Sequence, residues 1–146
     1  MQKQLIVLIL AMLPLMTMAG SPEPAEKAIR QVVSSAYIDG LQNMGCMDAV
    51  KAGFHSNFEM LINRDGQLTK LPIKTWIERV EQRKTNPALQ NQPKVSGKFL
   101  EIDVTGDAAM VKLELYRENT KIFTDYLSLY RFGNDWKIVS KTYQMH

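Results

Sequence analysis

Cysteine and histidine are scarce in this chain. Its 146 residues include one cysteine, Cys46, and two histidines, His55 and His146. A single cysteine cannot form an internal disulfide, and three such widely spaced residues do not resemble a zinc-binding pattern. Cys46 and His55 have no evident third member for a thiol nucleophile. The sequence therefore predicts no metal site and no cofactor, and the fold must be stabilised by packing.

The chain also lacks a large excess of positive or negative charge. The chain has 18 lysine and arginine residues against 15 aspartate and glutamate residues, a net charge of +3. It has no glycine-rich phosphate loop, no nucleophile elbow and no basic stripe. These absences argue against a nucleotide-binding enzyme of the phosphate-loop type, a serine hydrolase and a nucleic-acid-binding protein.

A hydrophobic run long enough to span a membrane is missing too. The apolar segment Leu5–Met16 follows Lys3 and precedes small residues. As a helix its 12 residues would rise about 18 Å, against about 30 Å for the hydrocarbon core of a bilayer. This layout is typical of a cleavable signal peptide. We predict a periplasmic or secreted protein.

The small residues after the apolar run predict where the signal peptide is cut. Thr17 and Ala19 suit cleavage after Ala19, and cleavage after Gly20 is the alternative. No cysteine follows either position, so no lipid anchor is expected. The prediction is a signal peptide over residues 1–19 and one domain over residues 20–146, with no membrane anchor after cleavage.

The mature chain begins with helices and ends with strands, which is the pattern of an α+β domain. Apolar residues recur at helical spacing from Ala25 to Met44, with Ser21 able to cap this helix and Gly45 able to end it. Asp65-Gly66 predicts a tight hairpin turn, and Thr85–Pro93 is predicted to be a polar loop. Further helices are predicted over Met47–Ala52 and Ile73–Val80, and strands over Phe58–Ile62, Val95–Thr105, Ala108–Arg117, Ile122–Phe132 and Asp135–Tyr143.

Counting outward from a Gly133-Asn134 turn separates the two faces of the last hairpin. One face is the more apolar and is expected to be covered by helices. It carries Phe123, Asp125, Leu127, Leu129, Arg131, Trp136, Ile138, Ser140 and Thr142. The other carries Tyr126, Ser128, Tyr130, Phe132, Lys137, Val139, Lys141 and Tyr143. The tyrosines of this second face predict a homodimer interface, with a solvated sheet surface as the alternative.

Several segments together resemble the nuclear-transport-factor-2-like superfamily. They are Phe54-His55, the helix around Trp76, the stretch Ile102–Ala109, and the closing meander with Asp125-Tyr126-Leu127 and Trp136–Val139. Within the superfamily the chain is most similar to the branch named "putative lumazine-binding". The resemblance implies a cone, in which three helices pack on a strongly curved antiparallel sheet around a pocket. It also implies frequent dimerisation through the outer sheet face.

Asp125 is the most informative candidate residue, because the face assignment puts a carboxyl on the apolar side of the sheet. Burial favours the neutral form of an unpaired carboxyl, which could then act as a general base or a hydrogen-bond donor. In that case Asn should be tolerated at this position. The alternative is a structural carboxylate paired with Arg131, with a lysine or with a backbone N–H.

Three other residues are candidates for the pocket. His55 lies between the second helix and the first strand and could be an acid, a base or a local hydrogen-bonding residue. Tyr37 could direct its hydroxyl into the cavity or belong to the core, and Trp76 could be core or a stacking wall. The predicted ligand-binding set is Tyr37, His55, Trp76, Asp125, Leu127, Trp136 and Ile138.

Three hypotheses about function follow. The leading one is an exported protein that binds a largely apolar or flat small molecule without transforming it. The second is an enzyme of isomerase or dehydratase type that uses Asp125 with His55 or Tyr37. The third is a protein-interaction module that uses the outer sheet face with Tyr126, Tyr130 and Tyr143.

Overall fold

Residues 22–146 are described by a computed structural model, which shows helices packed against one curved six-stranded sheet. The helices are α1 (Pro22–Val32), continued by a π-helical segment (Val33–Gln42), then α2 (Met47–Gly53), α3 (Ile73–Lys84) and α4 (Pro87–Gln90). The strands are β1 (Phe54–Arg64), β2 (Gln67–Pro72), β3 (Val95–Thr105), β4 (Ala108–Arg117), β5 (Thr120–Phe132) and β6 (Asp135–Met145). The predicted signal peptide and the cap at Ser21 lie outside the described residues.

The predicted α+β fold is confirmed. The strand order is β2-β1-β6-β5-β4-β3, and each neighbouring pair is antiparallel except β1 and β6, which are parallel. The Asp65-Gly66 turn is also confirmed, with φ of 51° and 82° at its two residues. No helix within residues 22–146 combines the length and the apolar character that crossing a membrane requires.

Two helix predictions need correction. The predicted polar loop contains the short helix α4, because the Asn86 side chain accepts a hydrogen bond of 3.1 Å from the backbone N–H of Ala88 and Pro87 suits a first helical turn. The first helix ends at Gln42 rather than just before Gly45. Its last part is wider than an α-helix and buries Val33, Ala36, Tyr37 and Leu41 completely.

The register of β5 and β6 corrects the predicted faces. From the Gly133 turn the pairing runs as predicted as far as Leu129 with Ile138, but Ser128 then pairs with Ser140. Val139 is therefore the extra residue of a β-bulge, and beyond it the alternation of side chains is reversed. The prediction that Ser140 and Thr142 face inward was wrong. Lys141 and Tyr143 face inward in their place, so Tyr143 does not belong to the outer tyrosine face.

Candidate functional site

Three polar side chains from distant parts of the chain meet inside the apolar core. Tyr37 comes from the π-helical segment, Asp125 from β5 and Lys141 from β6. Asp125 and Tyr37 are fully buried, and Lys141 is 3% exposed. The β-bulge at Val139 is what brings Lys141 to this side of the sheet, because without it the side chain would point outward.

The three side chains are joined by short contacts. The Tyr37 hydroxyl donates a hydrogen bond of 2.5 Å to Asp125 Oδ2. The ammonium Nζ of Lys141 donates to the same hydroxyl at 2.5 Å, and Gln42 Nε2 donates to it at 3.0 Å. Lys141 Nζ also lies 2.9 Å from Asp125 Oδ1, as an ion pair whose angles are poor for a hydrogen bond. We call these three residues the buried cluster.

Burial and charge decide the protonation states in the buried cluster. Burial raises the pKa of Tyr37 well above its ordinary value, and the charge of Asp125 and the hydrogen bond to it act in the same direction. Burial lowers the pKa of Lys141, while the Asp125 carboxylate opposes that change. Tyr37 is therefore neutral at neutral pH and positioned as a hydrogen-bond donor to the carboxylate.

Aromatic rings surround the Lys141 ammonium. Its Nζ lies 4.8 Å from the ring centre of Tyr37, 4.9 Å from that of Tyr143, 5.5 Å from that of Trp76 and 5.7 Å from that of Phe123. Ring faces attract cations at such distances, most strongly where water is excluded. The rings therefore help to hold a charge that desolvation would otherwise disfavour.

A cavity of about 420 Å³ adjoins the buried cluster. It lies among the ends of β4 and β6, the start of β5, and the helix α3. Trp76, Phe123 and Tyr143 contribute aromatic side chains to its wall. Lys141 of the buried cluster also lines it, as does Gln42, which donates a hydrogen bond to Tyr37. Its volume lies within the range of small-molecule sites.

The predicted site residues do not all lie together in the structure. Tyr37 and Asp125 are brought together, as the second functional hypothesis required, and Trp76 lies in the cavity wall. Leu127 and Ile138 are fully buried core residues, and neither they nor the buried Trp136 contribute to this cavity.

His55 is not part of the buried cluster. Its ring stacks on Phe132 with the ring centres 4.9 Å apart, near the opposite end of β5 from Phe123. Its Nδ1 accepts a hydrogen bond of 3.1 Å from the backbone N–H of Asn57. This is the local hydrogen-bonding role that the sequence left open as the alternative.

Sequence reasoning missed Lys141, Tyr143, Gln42, Arg83 and Arg117, which also line the cavity. Lys141 and Tyr143 were assigned to the wrong face because of the bulge. Gln42 continues the stripe of Tyr37 only approximately, and the two arginines lie at element ends, where sequence periodicity gives no signal. Within residues 22–146 no three His, Cys, Asp or Glu side chains are grouped so that they could hold a metal ion.

Comparison with known proteins now identifies the family. A sequence profile of the family described as "Putative lumazine-binding" matches residues 24–144. The chain belongs to this family. No curated protein matches the chain significantly.

Solved structures show the same fold. A nuclear-transport-factor-2-like protein of unknown function from Shewanella baltica has 22% sequence identity and a TM-score of 0.68, with 87% of this chain and 98% of that chain covered. A similar protein from Silicibacter pomeroyi has 19% identity and a TM-score of 0.69, with coverage of 87% and 100%. One from Methylobacillus flagellatus has 23% identity and a TM-score of 0.63, with coverage of 88% and 96%. This member of the "Putative lumazine-binding" family therefore has the nuclear-transport-factor-2-like fold.

Proposed function

We propose that the protein is exported and binds a small, flat molecule in the 420 Å³ cavity without transforming it. The observation that supports this proposal is the convergence of Trp76, Phe123 and Tyr143 on one cavity beside the buried cluster. Flat rings pack well against aromatic side chains in offset or edge-to-face arrangements. The family description points toward a heterocyclic ligand of this shape.

The chemistry of the buried cluster favours binding over catalysis. Asp125 is fully buried. Its Oδ2 accepts a hydrogen bond from the Tyr37 hydroxyl, and its Oδ1 forms the ion pair with Lys141. A general base must reach the proton that it removes, either directly or through one water. The carboxyl lies behind Lys141 and Tyr37, so the cluster is better suited to orienting the Lys141 ammonium at the cavity wall. An isomerase or dehydratase using Asp125 and Tyr37 is the competing hypothesis.

Calorimetric titration with two flat probes, lumazine and 2-naphthamide, tests the proposed site. We expect Phe123→Ala to weaken binding about tenfold, because the loss of one ring contact corresponds to about 1.4 kcal/mol. Phe132→Ala is the matched control, since Phe132 is 44% exposed and lies outside this cavity. Equal affinities of the Phe123→Ala variant and the wild type would contradict the proposed site.

Recovery of the bound molecule distinguishes binding from catalysis. Each probe is incubated with the protein at a concentration above the dissociation constant and then analysed by mass spectrometry and proton exchange in D₂O. The binding hypothesis expects the probe to return unchanged, without deuterium bound to carbon, since the N–H protons of both probes exchange in D₂O without a catalyst. Isomerised, dehydrated or carbon-deuterated product that disappears in Asp125→Asn, at a temperature where circular dichroism shows this variant to be folded, would support the enzyme hypothesis instead.

Export has its own test. When the full chain is expressed in a bacterial host, mass spectrometry of the exported protein should show an unmodified N-terminus at Gly20 or Ser21. The reason is the short apolar run followed by small residues. Exported protein that retains Met1 would contradict cleavage.

A further inference from the structure

The charged side chains that line the 420 Å³ cavity are all basic or potentially basic. Arg83, Arg117, Lys141 and His146 contribute to its wall, and no aspartate or glutamate side chain does. The charged side chains that a ligand in this cavity can contact therefore favour an anionic group over a cationic one. Net charge does not explain this asymmetry, because the whole chain is nearly balanced.

The four basic residues are not equivalent. Lys141 is paired with Asp125 through the 2.9 Å contact, so the pair as a whole is close to neutral. His146 Nε2 is already engaged with the Thr124 hydroxyl at 2.9 Å. Arg83 and Arg117, in contrast, form no ion pair with any residue in the part of the chain that the structure describes.

Both arginines are held at the ends of regular elements. Arg83 lies in the last turn of α3, and Arg117 is the last residue of β4. They also border a smaller adjoining cavity of about 140 Å³, so they stand where the two cavities meet. Both are exposed, and their charges can therefore be removed without a folding cost from burial.

We propose that the ligand of this protein is an aromatic carboxylate, whose ring lies against Trp76 and Phe123 and whose carboxylate is bound by Arg83 and Arg117. This inference rests on the proposed function, because it assigns the ligand class of the same cavity. A guanidinium can bind a carboxylate through two parallel hydrogen bonds, which gives both affinity and orientation. The Lys141 ammonium, which is already paired with Asp125, cannot offer a carboxylate two parallel hydrogen bonds.

A matched pair of probes tests the inference. 2-Naphthoate and 2-naphthamide have the same ring, and at pH 7 only the first is charged, because carboxyl groups of this kind ionise near pH 4. We expect calorimetry at low salt to show about tenfold or greater preference for 2-naphthoate, since one charge-assisted hydrogen bond is sufficient for that ratio. The preference should fall as salt rises, because exposed charges are screened.

Removal of the two arginines should remove the preference for the carboxylate. In the Arg83→Gln and Arg117→Gln double variant we expect the affinity for 2-naphthoate to fall about tenfold or more and that for 2-naphthamide to fall much less, so that the two probes bind about equally. Arg64→Gln is the matched control, because Arg64 is exposed at the end of β1 and lines neither cavity. This control should keep the full preference.

The outcomes separate the two proposals. If 2-naphthamide binds as tightly as 2-naphthoate to the wild type, and Phe123→Ala still weakens both, the cavity binds flat molecules but the inference about the carboxylate is overturned. A preference that persists in the arginine double variant also overturns it. If neither naphthyl probe binds, this inference is overturned, and if lumazine does not bind either, the proposed function fails with it.

Discussion

At the residue scale, the buried Lys141 and Asp125 depend on each other. Each charge would be costly alone in the core, and their attraction with the Tyr37 hydrogen bonds offsets that cost. A buried ion pair of this kind adds little to the free energy of unfolding compared with apolar residues of similar size in the same place. Removing only one of its two charges is nevertheless strongly destabilising. The pair and the Tyr37 hydrogen bonds connect the first helix, β5 and β6 beside the cavity.

The ion pair reverses the expectation, reached from sequence, that Asn is tolerated at position 125. Asp125→Asn removes the counter-charge of a lysine that is 3% exposed, so we expect the free energy of unfolding at pH 7 to fall by about 3 kcal/mol in urea denaturation. Combining it with Lys141→Met removes both charges and should recover most of the loss. Wild-type stability of Asp125→Asn alone would show that the pair does not form in solution.

Tyr37 predicts a particular dependence of stability on pH. Its pKa in the folded protein is raised by burial and by Asp125, whereas in the unfolded chain it ionises near pH 10. Its contribution to stability is therefore complete below about pH 10 and decreases above it, by about 1.4 kcal/mol per pH unit.

The matched comparison for Tyr37 is Tyr37→Phe, which lacks this ionisation but retains the other titrating groups. The difference in free energy of unfolding between the wild type and Tyr37→Phe should shrink as the pH rises from 10 to 11. Denaturation curves at pH 8, 10 and 11 measure it. A difference that stays constant over this interval would mean that Tyr37 ionises as easily in the folded protein as in the unfolded chain.

The sequence was sufficient to choose Asp125 and Tyr37 but not to connect them with Lys141. The choice needed only an acid at an inward position and a tyrosine on the buried helical stripe. The connection needed the register of β6 beyond Ile138, and a bulge at an ordinary valine leaves no mark in the local pattern. An acid assigned to an apolar face is itself a signal to search nearby strands for a lysine.

At the scale of elements, the ends of strands were predictable where turns define them. The bounds Val95–Thr105 and Ala108–Arg117 are those predicted. Gly106 lies in the turn between these two strands and adopts a positive φ of 59°, which fixes where the first strand ends and the second begins. The change from α-helix to π-helix at Val33 was not predictable. An α-helix and a π-helix both place apolar side chains on one face, so the apolar pattern of the sequence fits either type of helix.

Gly45 completes the end of the first helix by close backbone contact. Its N–H donates to the carbonyl oxygens of Asp39 and Gly40, both at 2.9 Å, and its own carbonyl accepts from Lys84 at 2.7 Å. A Cβ atom at this position would collide with the carbonyl oxygen of Asp39. The absence of a side chain is therefore a packing requirement.

We expect Gly45→Ala to lower the free energy of unfolding by about 2 to 3 kcal/mol, as overpacking does. Gly66→Ala is the control, because Gly66 has a φ of 82° but open space around it, so that only backbone strain of about 1 kcal/mol applies. Urea denaturation of both variants measures the difference. If the two variants lose the same stability, the close contact at Gly45 does not limit packing.

At the scale of the whole molecule, the outer sheet face is the feature that the cavity does not explain. Tyr126, Tyr130 and Phe132 are 42%, 53% and 44% exposed on this face of β5, and Lys112 Nζ lies 5.5 Å from the Tyr126 ring centre. Aromatic rings with polar tips are enriched at protein interfaces. Although Tyr143 faces inward, these three rings still lie on one outer face of β5, with Ser128 between Tyr126 and Tyr130, and we call them the outer row.

We predict a homodimer at micromolar concentration through this outer row, measured by sedimentation. Tyr130→Glu places a charge at the centre of the contact, at a cost of at least about 2 kcal/mol if it is desolvated, which corresponds to a dissociation constant that is larger by about thirtyfold or more. Leu68→Glu is the matched control, because Leu68 is 66% exposed on β2, away from the row. The control should remain dimeric. A wild-type protein that sediments as a monomer throughout this range would leave the outer row as an ordinary solvated surface, since nothing else in the prediction would bring two copies together.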